Sequence, residues 1–136
     1  MVIDTSALVA VLASEPERQS VIAAIEVASS RVMSTATFVE ISIIIESRHG
    51  AEGLRDLDLF LNKAGVDLVA VDSEQADAAR HAFSRFGKGR HRAGLNYGDC
   101  FSYALAIVSG EPLLFKGDDF GHTDVTPVDP APAPES

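Results

Sequence analysis

The chain reads as an α/β fold built on a short, mostly parallel sheet. Three observations carry that reading. Short apolar runs alternate with helical patterns from one end of the chain to the other. Two of those runs, Met1-Val2-Ile3 and Leu113-Leu114-Phe115, lead into Asp4 and into Gly117-Asp118, an acid-bearing strand end in each case. The 136 residues, 46% of them hydrophobic, suffice for one domain with a real core and leave no room for a second.

The elements follow in order. Met1-Val2-Ile3 is a strand running straight into Asp4, and Thr5-Ser6 opens an apolar helix from Ala7 to Ala13. Ser14-Glu15-Pro16-Glu17 stops that helix and restarts another, with Pro16 at its first position and Ile22 and Ile25 continuing to about Ala28. Arg31 to Ser34 is a second strand. Residues 37–47 are strongly apolar, and the isoleucine run 43–45 alone would suit a strand. The length and the Thr37-x-x-Glu40 start signal favour a helix that ends at His49-Gly50. Leu54, Leu57, Phe60 and Leu61 give an amphipathic helix closed by Gly65. Val66 to Val71 is a strand, and Asp72-Ser73 caps a helix that reaches Phe86. A Gly-rich basic loop spans 87–98, a helix runs from Asp99 to Ser109, and Gly110 ends it. After the strand at 113–115, Val125 to Val128 is a further short strand. The Pro/Ala-rich segment 129–136 reads as a flexible tail, leaving 1–128 as the folded domain.

Composition narrows the function. A net charge of −9 argues against coating nucleic acid by bulk charge. No apolar run approaches the roughly 18 residues of a membrane span. No basic segment precedes the first apolar run, so a secretory signal is not expected and the chain is placed in the cytoplasm. The lone Cys100 excludes an intrachain disulfide and a cysteine zinc site, and reads as a small buried hydrophobe. No P-loop, no Gly-x-Ser-x-Gly elbow and no His-Glu-x-x-His occurs.

The acids repay a closer look. Asp4 suits an N-cap. Glu40 suits a capping box with Thr37. Asp99, after the N-cap candidate Asn96, suits the first turn of a helix. Asp118 and Asp119 suit a turn after glycine. Each local explanation is sufficient alone, but none explains why all of them converge on one sheet edge. Ligands of open α/β sheets bind outside the carboxyl ends of the strands. Carboxylates crowded there raise one another's pKa, and a hard divalent cation, Mg²⁺ or Mn²⁺, removes that cost. Such an ion acidifies water and neutralises phosphate charge, which is phosphodiester hydrolysis chemistry. From Ala78 to Gly98 there is no acid, while Arg80, Arg85, Lys88, Arg90 and Arg92 form a candidate phosphate track with Phe86 and Tyr97 positioned to stack bases.

Four segments in order resemble the PIN-domain family, and within it the VapC-type toxins of VapBC toxin–antitoxin systems. They are Met1 to Leu8 around Asp4, Ser34 to Glu40, Leu95 to Phe101 around Asp99, and Leu113 to Phe120. The resemblance covers about residues 1–128. It implies a PIN-like three-layer α/β/α sandwich and a Mg²⁺- or Mn²⁺-dependent endoribonuclease using metal-activated water. It further implies a homodimer, silenced by a small VapB-like antitoxin whose tail enters the active site. Carried over by position, the acidic quartet is Asp4, Glu40, Asp99 and Asp118. Asp4 and Asp99 would be primary metal ligands, while Glu40 and Asp118 would hold a second ion or orient water. Thr5, Ser6 and Asn96 match supporting positions. Gly117-Asp118-Asp119-Phe120 departs from the family's frequent Gly-Asp-x-Asp-Phe: the Gly-Asp anchor selects Asp118 and the Asp-Phe anchor selects Asp119. An RNA-processing or structure-specific DNA nuclease of the same fold, or a non-catalytic module, is the alternative.

Overall fold

A computed structural model describes residues 1–128; the expected tail at 129–136 lies outside them. The elements are β1 (Val2–Ile3), α1 (Thr5–Leu12), α2 (Arg18–Val27), β2 (Val32–Ser34), α3 (Thr35–Ala64), β3 (Asp67–Val69), α4 (Ser73–Phe86), α5 (Tyr97–Ser109) and β4 (Leu113–Leu114), with a 3-10 turn at Phe120–His122. Among the described residues the strands form one sheet of order β3-β2-β1-β4. Every pairing is parallel, with Val2 opposite both Val32 and Leu113 and Ile3 opposite Leu114.

Helices cover both faces, so even two-residue strands bury both sides. Alternation along the strand sends successive side chains to opposite faces. Ile3, Met33 and Leu114 enter a core with Leu8, Ile25, Ile41, Ile45 and Leu57 from α1, α2 and α3. Val2 and Leu113 enter the other core with Ala82, Phe86, Tyr103 and Leu105 from α4 and α5. The result is the expected three-layer α/β/α sandwich. No helix of the described residues is long and apolar enough to cross a membrane.

Local signals place most boundaries. Gly65 and Gly110 close their helices in the left-handed conformation. Gly50 (φ 65°, ψ −156°) leaves helical geometry and kinks α3 into two arms, where the His49-Gly50 signal predicts a stop. Several expectations are corrected. α3 starts at Thr35, capped by Ser34, whose hydroxyl accepts from the Ala36 N–H; Thr37 is therefore inside the helix and no capping box joins it to Glu40. α2 begins at Arg18, after Pro16 rather than on it. The third strand shrinks to Asp67–Val69, and β4 stops at Leu114. Residues 125–128 contribute one bridge, Pro127 to Leu113, instead of a strand. α5 starts two residues earlier than Asp99, at Tyr97.

The Gly50 conformation belongs to a region essentially reserved for glycine. Gly50→Ala is expected to destabilise the fold by about 1–3 kcal/mol, read as a lower urea midpoint with an unchanged slope.

Candidate active site

β1 sits between β2 and β4, so the chain leaves it on one side for β2 and returns on the other with β4. The carboxyl ends of β1 and β4 therefore frame the switch-point crevice of an open parallel sheet. Asp4 stands there. Its N–H donates to the Leu114 carbonyl at 3.0 Å, extending the β1–β4 ladder by one residue. Its side chain is 2% exposed.

A buried carboxylate needs donors, and Asp4 has three. Its Oδ2 accepts from the Ser6 N–H at 3.0 Å, as the N-cap of α1, and from the Ser6 hydroxyl at 2.7 Å. Its Oδ1 accepts from the Ser102 hydroxyl of α5 at 2.6 Å. Ser102 is itself 3.2 Å from the buried Thr37 hydroxyl of α3. The Ser6 hydroxyl also accepts from the Lys116 N–H at 3.0 Å, joining the segment after β4 to the first acid.

Glu40 reaches the same crevice from the first arm of α3. Its Oε1 accepts from the Thr5 hydroxyl at 2.5 Å. Its carboxylate lies where a side chain on Gly98 would be: a Cβ there would overlap Oε2. Gly98 thus leaves room for Glu40 beside the N-terminus of α5. Asp99 lies in the first turn of that helix. Its Oδ2 accepts from the Asn96 N–H at 3.0 Å while Asn96 Oδ1 accepts from the Asp99 N–H at 2.9 Å, a reciprocal capping box. Burial pushes the Asp99 carboxyl up to about 6; the Asn96 N–H opposes this, and the charges of Asp4, Glu40 and Asp119 add to it.

Asp4, Thr5, Ser6, Glu40, Asn96 and Asp99 line one cleft of about 260 Å³, together with Glu15 and Lys116. Asp118 and Asp119 are exposed and do not line it. Of the two, Asp119 is the one whose charge reaches Asp99.

The donor set suits a hard cation. The cleft offers carboxylate and hydroxyl oxygens, and burial, with a smaller addition from the neighbouring acids, raises Asp99. Among the described residues no three acid, imidazole or thiolate side chains stand grouped closely enough to hold a metal ion by themselves. A partly hydrated ion held by one or two carboxylates, the habit of Mg²⁺, fits such an open site.

The basic stretch lies elsewhere. Arg80, Arg85, Lys88, Arg90 and Arg92 are all exposed, and none lines the acid cleft. Arg85 is 3.5 Å from Asp124 and stacks over Phe86, and Arg90 lies over Phe83. Phe86 is 5% exposed inside the core, so it has no face to offer a base. Tyr97, 80% exposed, keeps one, and with Arg80 and Phe83 it borders an apolar groove of about 400 Å³. Ser102 and Gly98 escaped the sequence reading, and Thr37 entered it only as a cap for Glu40. Ser102 sits three residues after Asp99, on the same face of α5, which is the one signal that pointed to it.

Two outcomes test this geometry. Gly98→Ala should keep the fold, because the displaced group is the end of a flexible side chain, yet it should weaken Mn²⁺ binding measured by calorimetry by pushing Glu40 aside. In the metal-free protein, Asp99 should titrate near 6 by carbon-detected NMR, and lower in Asp4→Asn, which removes a like charge. Its folded value exceeds the ordinary 3.8, so its contribution to stability is fully present below 3.8 and is lost as pH rises through about 6. An Asp99 midpoint that Asp4→Asn leaves unchanged would refute the crowding.

The chain matches the PIN domain family model over residues 1–125. It is 62% identical over 128 residues to ribonuclease VapC30 of Mycobacterium tuberculosis strain H37Rv, covering 94% of this chain and 98% of that protein. It is 63% identical over 128 residues to ribonuclease VapC of Mycolicibacterium smegmatis, covering 94% and 99%. Its fold resembles the crystal structure of M. tuberculosis VapC20, a Sarcin-Ricin loop cleaving toxin, with a TM-score of 0.77 at 16% identity over 95% of this chain and 98% of that one. It also resembles VapBC2 from Rickettsia felis bound to a DNA fragment from their promoter, with a TM-score of 0.75 at 12% identity over 94% and 96%. An acid-lined switch-point crevice, a family match along nearly the whole chain and these identities agree: the chain belongs to the PIN-domain family, on its VapC branch.

Proposed function

We propose that the chain is the toxin of a toxin–antitoxin pair, a Mg²⁺- or Mn²⁺-dependent endoribonuclease that hydrolyses RNA phosphodiester bonds. One observation carries this: Asp4, Glu40 and Asp99 reach a single cleft from three different elements, where burial and then the charges of Asp4, Glu40 and Asp119 raise Asp99. The high identity to proteins named VapC ribonucleases supports RNA as the substrate.

Asp4 and Asp99 would hold the ion, with Glu40 and Asp119 as supporting acids. A bound divalent ion supplies neutralisation of the phosphate and a lower pKa for water. The chain's own groups set the stage. Ser6 and Ser102 fix both oxygens of Asp4, and Thr5 turns Glu40 toward the cleft. The Asn96 capping box fixes Asp99. Asn96 and Tyr97, at the mouth of α5, and the exposed cations of 80–92 would guide the RNA backbone toward the cleft.

A small VapB-like antitoxin is the proposed partner, since toxin–antitoxin complexes are among the structures of this fold. An arginine of its tail would seat against the crowded carboxylates bidentately and compete with the metal. A homodimer is the proposed assembly of the toxin.

Asp4→Asn and Asp99→Asn should each abolish Mn²⁺-dependent cleavage of total RNA while circular dichroism and thermal melting stay folded. Asp119→Asn should lower the rate more than Asp118→Asn. Full activity in both of the first two variants would sink the assignment. Saturating Mn²⁺ should raise the melting temperature of the wild type, since binding at about 100 times Kd contributes roughly 2.7 kcal/mol.

A further inference from the structure

The acid cleft has an electrostatic problem that the basic stretch does not solve. A phosphodiester must enter between carboxylates, and none of the cations of 80–92 lines that space. Among the described residues, Lys116 is the one basic side chain that does. It follows β4 by two residues, and its backbone is fixed: its N–H donates to Ser6 Oγ at 3.0 Å, and Ser6 donates to Asp4 Oδ2 at 2.7 Å. The root of the side chain is thus tied to the first acid by two hydrogen bonds.

Its ammonium is parked. Nζ lies 3.0 Å from Glu15 Oε1 and 3.1 Å from Glu17 Oε2, both in the turn between α1 and α2, and these acids raise its pKa, Glu15 foremost. The side chain remains 34% exposed. An ammonium has three donors, and two acids engage at most two of them. Partly exposed ion pairs of this kind are weak, so exchanging one for a phosphate oxygen costs little. Lysine, a mobile point charge on a long stem, suits such an exchange.

Building on the ribonuclease reading above, we propose that Lys116 is the phosphate-contacting cation of the cleft, held by Glu15 and Glu17 in the free protein and donating to a non-bridging oxygen of the RNA backbone in the complex. A purely structural tie between Lys116 and the α1–α2 turn is the competing role. The two roles differ in what the acids do. If the ion pairs only brace the loop, removing Glu15 and Glu17 harms the site as much as removing Lys116. If they park a phosphate ligand, removing them frees it.

The test is single-turnover cleavage of a fluorescein-labelled random-sequence RNA with Mn²⁺, reading the half-saturating protein concentration at several salt concentrations. Lys116→Gln should raise that concentration roughly tenfold and flatten its logarithmic salt dependence by about 0.7. Lys116→Arg should largely restore both. The double variant Glu15→Gln/Glu17→Gln should bind RNA at least as tightly as wild type, and Lys116→Gln should bind Mn²⁺ alone no more weakly. Wild-type affinity and salt dependence in Lys116→Gln, with active wild type, overturn the role of Lys116 alone. Equal weakening in Lys116→Gln and in the double variant overturns it in favour of a brace. A wild type that neither binds Mn²⁺ nor cleaves the RNA overturns the ribonuclease reading, and the lysine's role falls with it.

Discussion

A carboxylate taken out of water must find its solvation in the protein, and Asp4 shows how much structure that requirement organises. Its backbone closes the β1–β4 ladder, and its two oxygens collect donors from α1 and α5. Through Ser102 it is linked to Thr37 in α3, and through Ser6 to the segment after β4. An unpaired charge at this depth would be prohibitively costly. The sheet edge, three helices and one loop are therefore held in a fixed relation by the same group that stands deepest in the acid cleft.

The carboxylates that cap two helices also line the cleft. Asp4 caps α1, and Asp99 completes a capping box with Asn96. The cap fixes one oxygen or one rotamer and leaves the rest of each carboxylate to the cleft. A first-turn position also sets Asp99 near the positive end of the α5 dipole, while Asp4, Glu40 and Asp119 oppose its charge. The glycine between Tyr97 and Asp99 admits Glu40 to this company, because any Cβ there would occupy the space of its carboxylate.

The net charge of −9 is distributed unevenly. Acids crowd one crevice, while the exposed cations of 80–92 lie outside it and partly satisfy themselves on Asp124, Phe83 and Phe86. Under the proposed reading, long-range attraction of RNA would fall to the basic stretch and close contact with its phosphate to Lys116, on separate surfaces.

What the sequence determined by itself was local or periodic. Alternating apolar runs set the parallel sheet, Gly65 and Gly110 set helix ends, Gly50 set the kink, and Asn96 set the start of α5. Asp4 was legible because it ends an apolar strand, and strand ends in this architecture share one edge. The tertiary structure decided what depends on distant partners. Thr37-x-x-Glu40 reads as a capping box, yet Thr37 turns to Ser102 and Glu40 to Thr5, contacts that span 65 and 35 residues. That the charge of Asp119 adds to the rise of Asp99 is likewise something no spacing encodes. Phe86 looked available for stacking because its neighbours are basic, but the α4–α5 packing buries it. Hydrogen bonds within a turn follow from residue order, whereas a bond such as Ser102 to Asp4, 98 residues apart, exists only once both cores have packed.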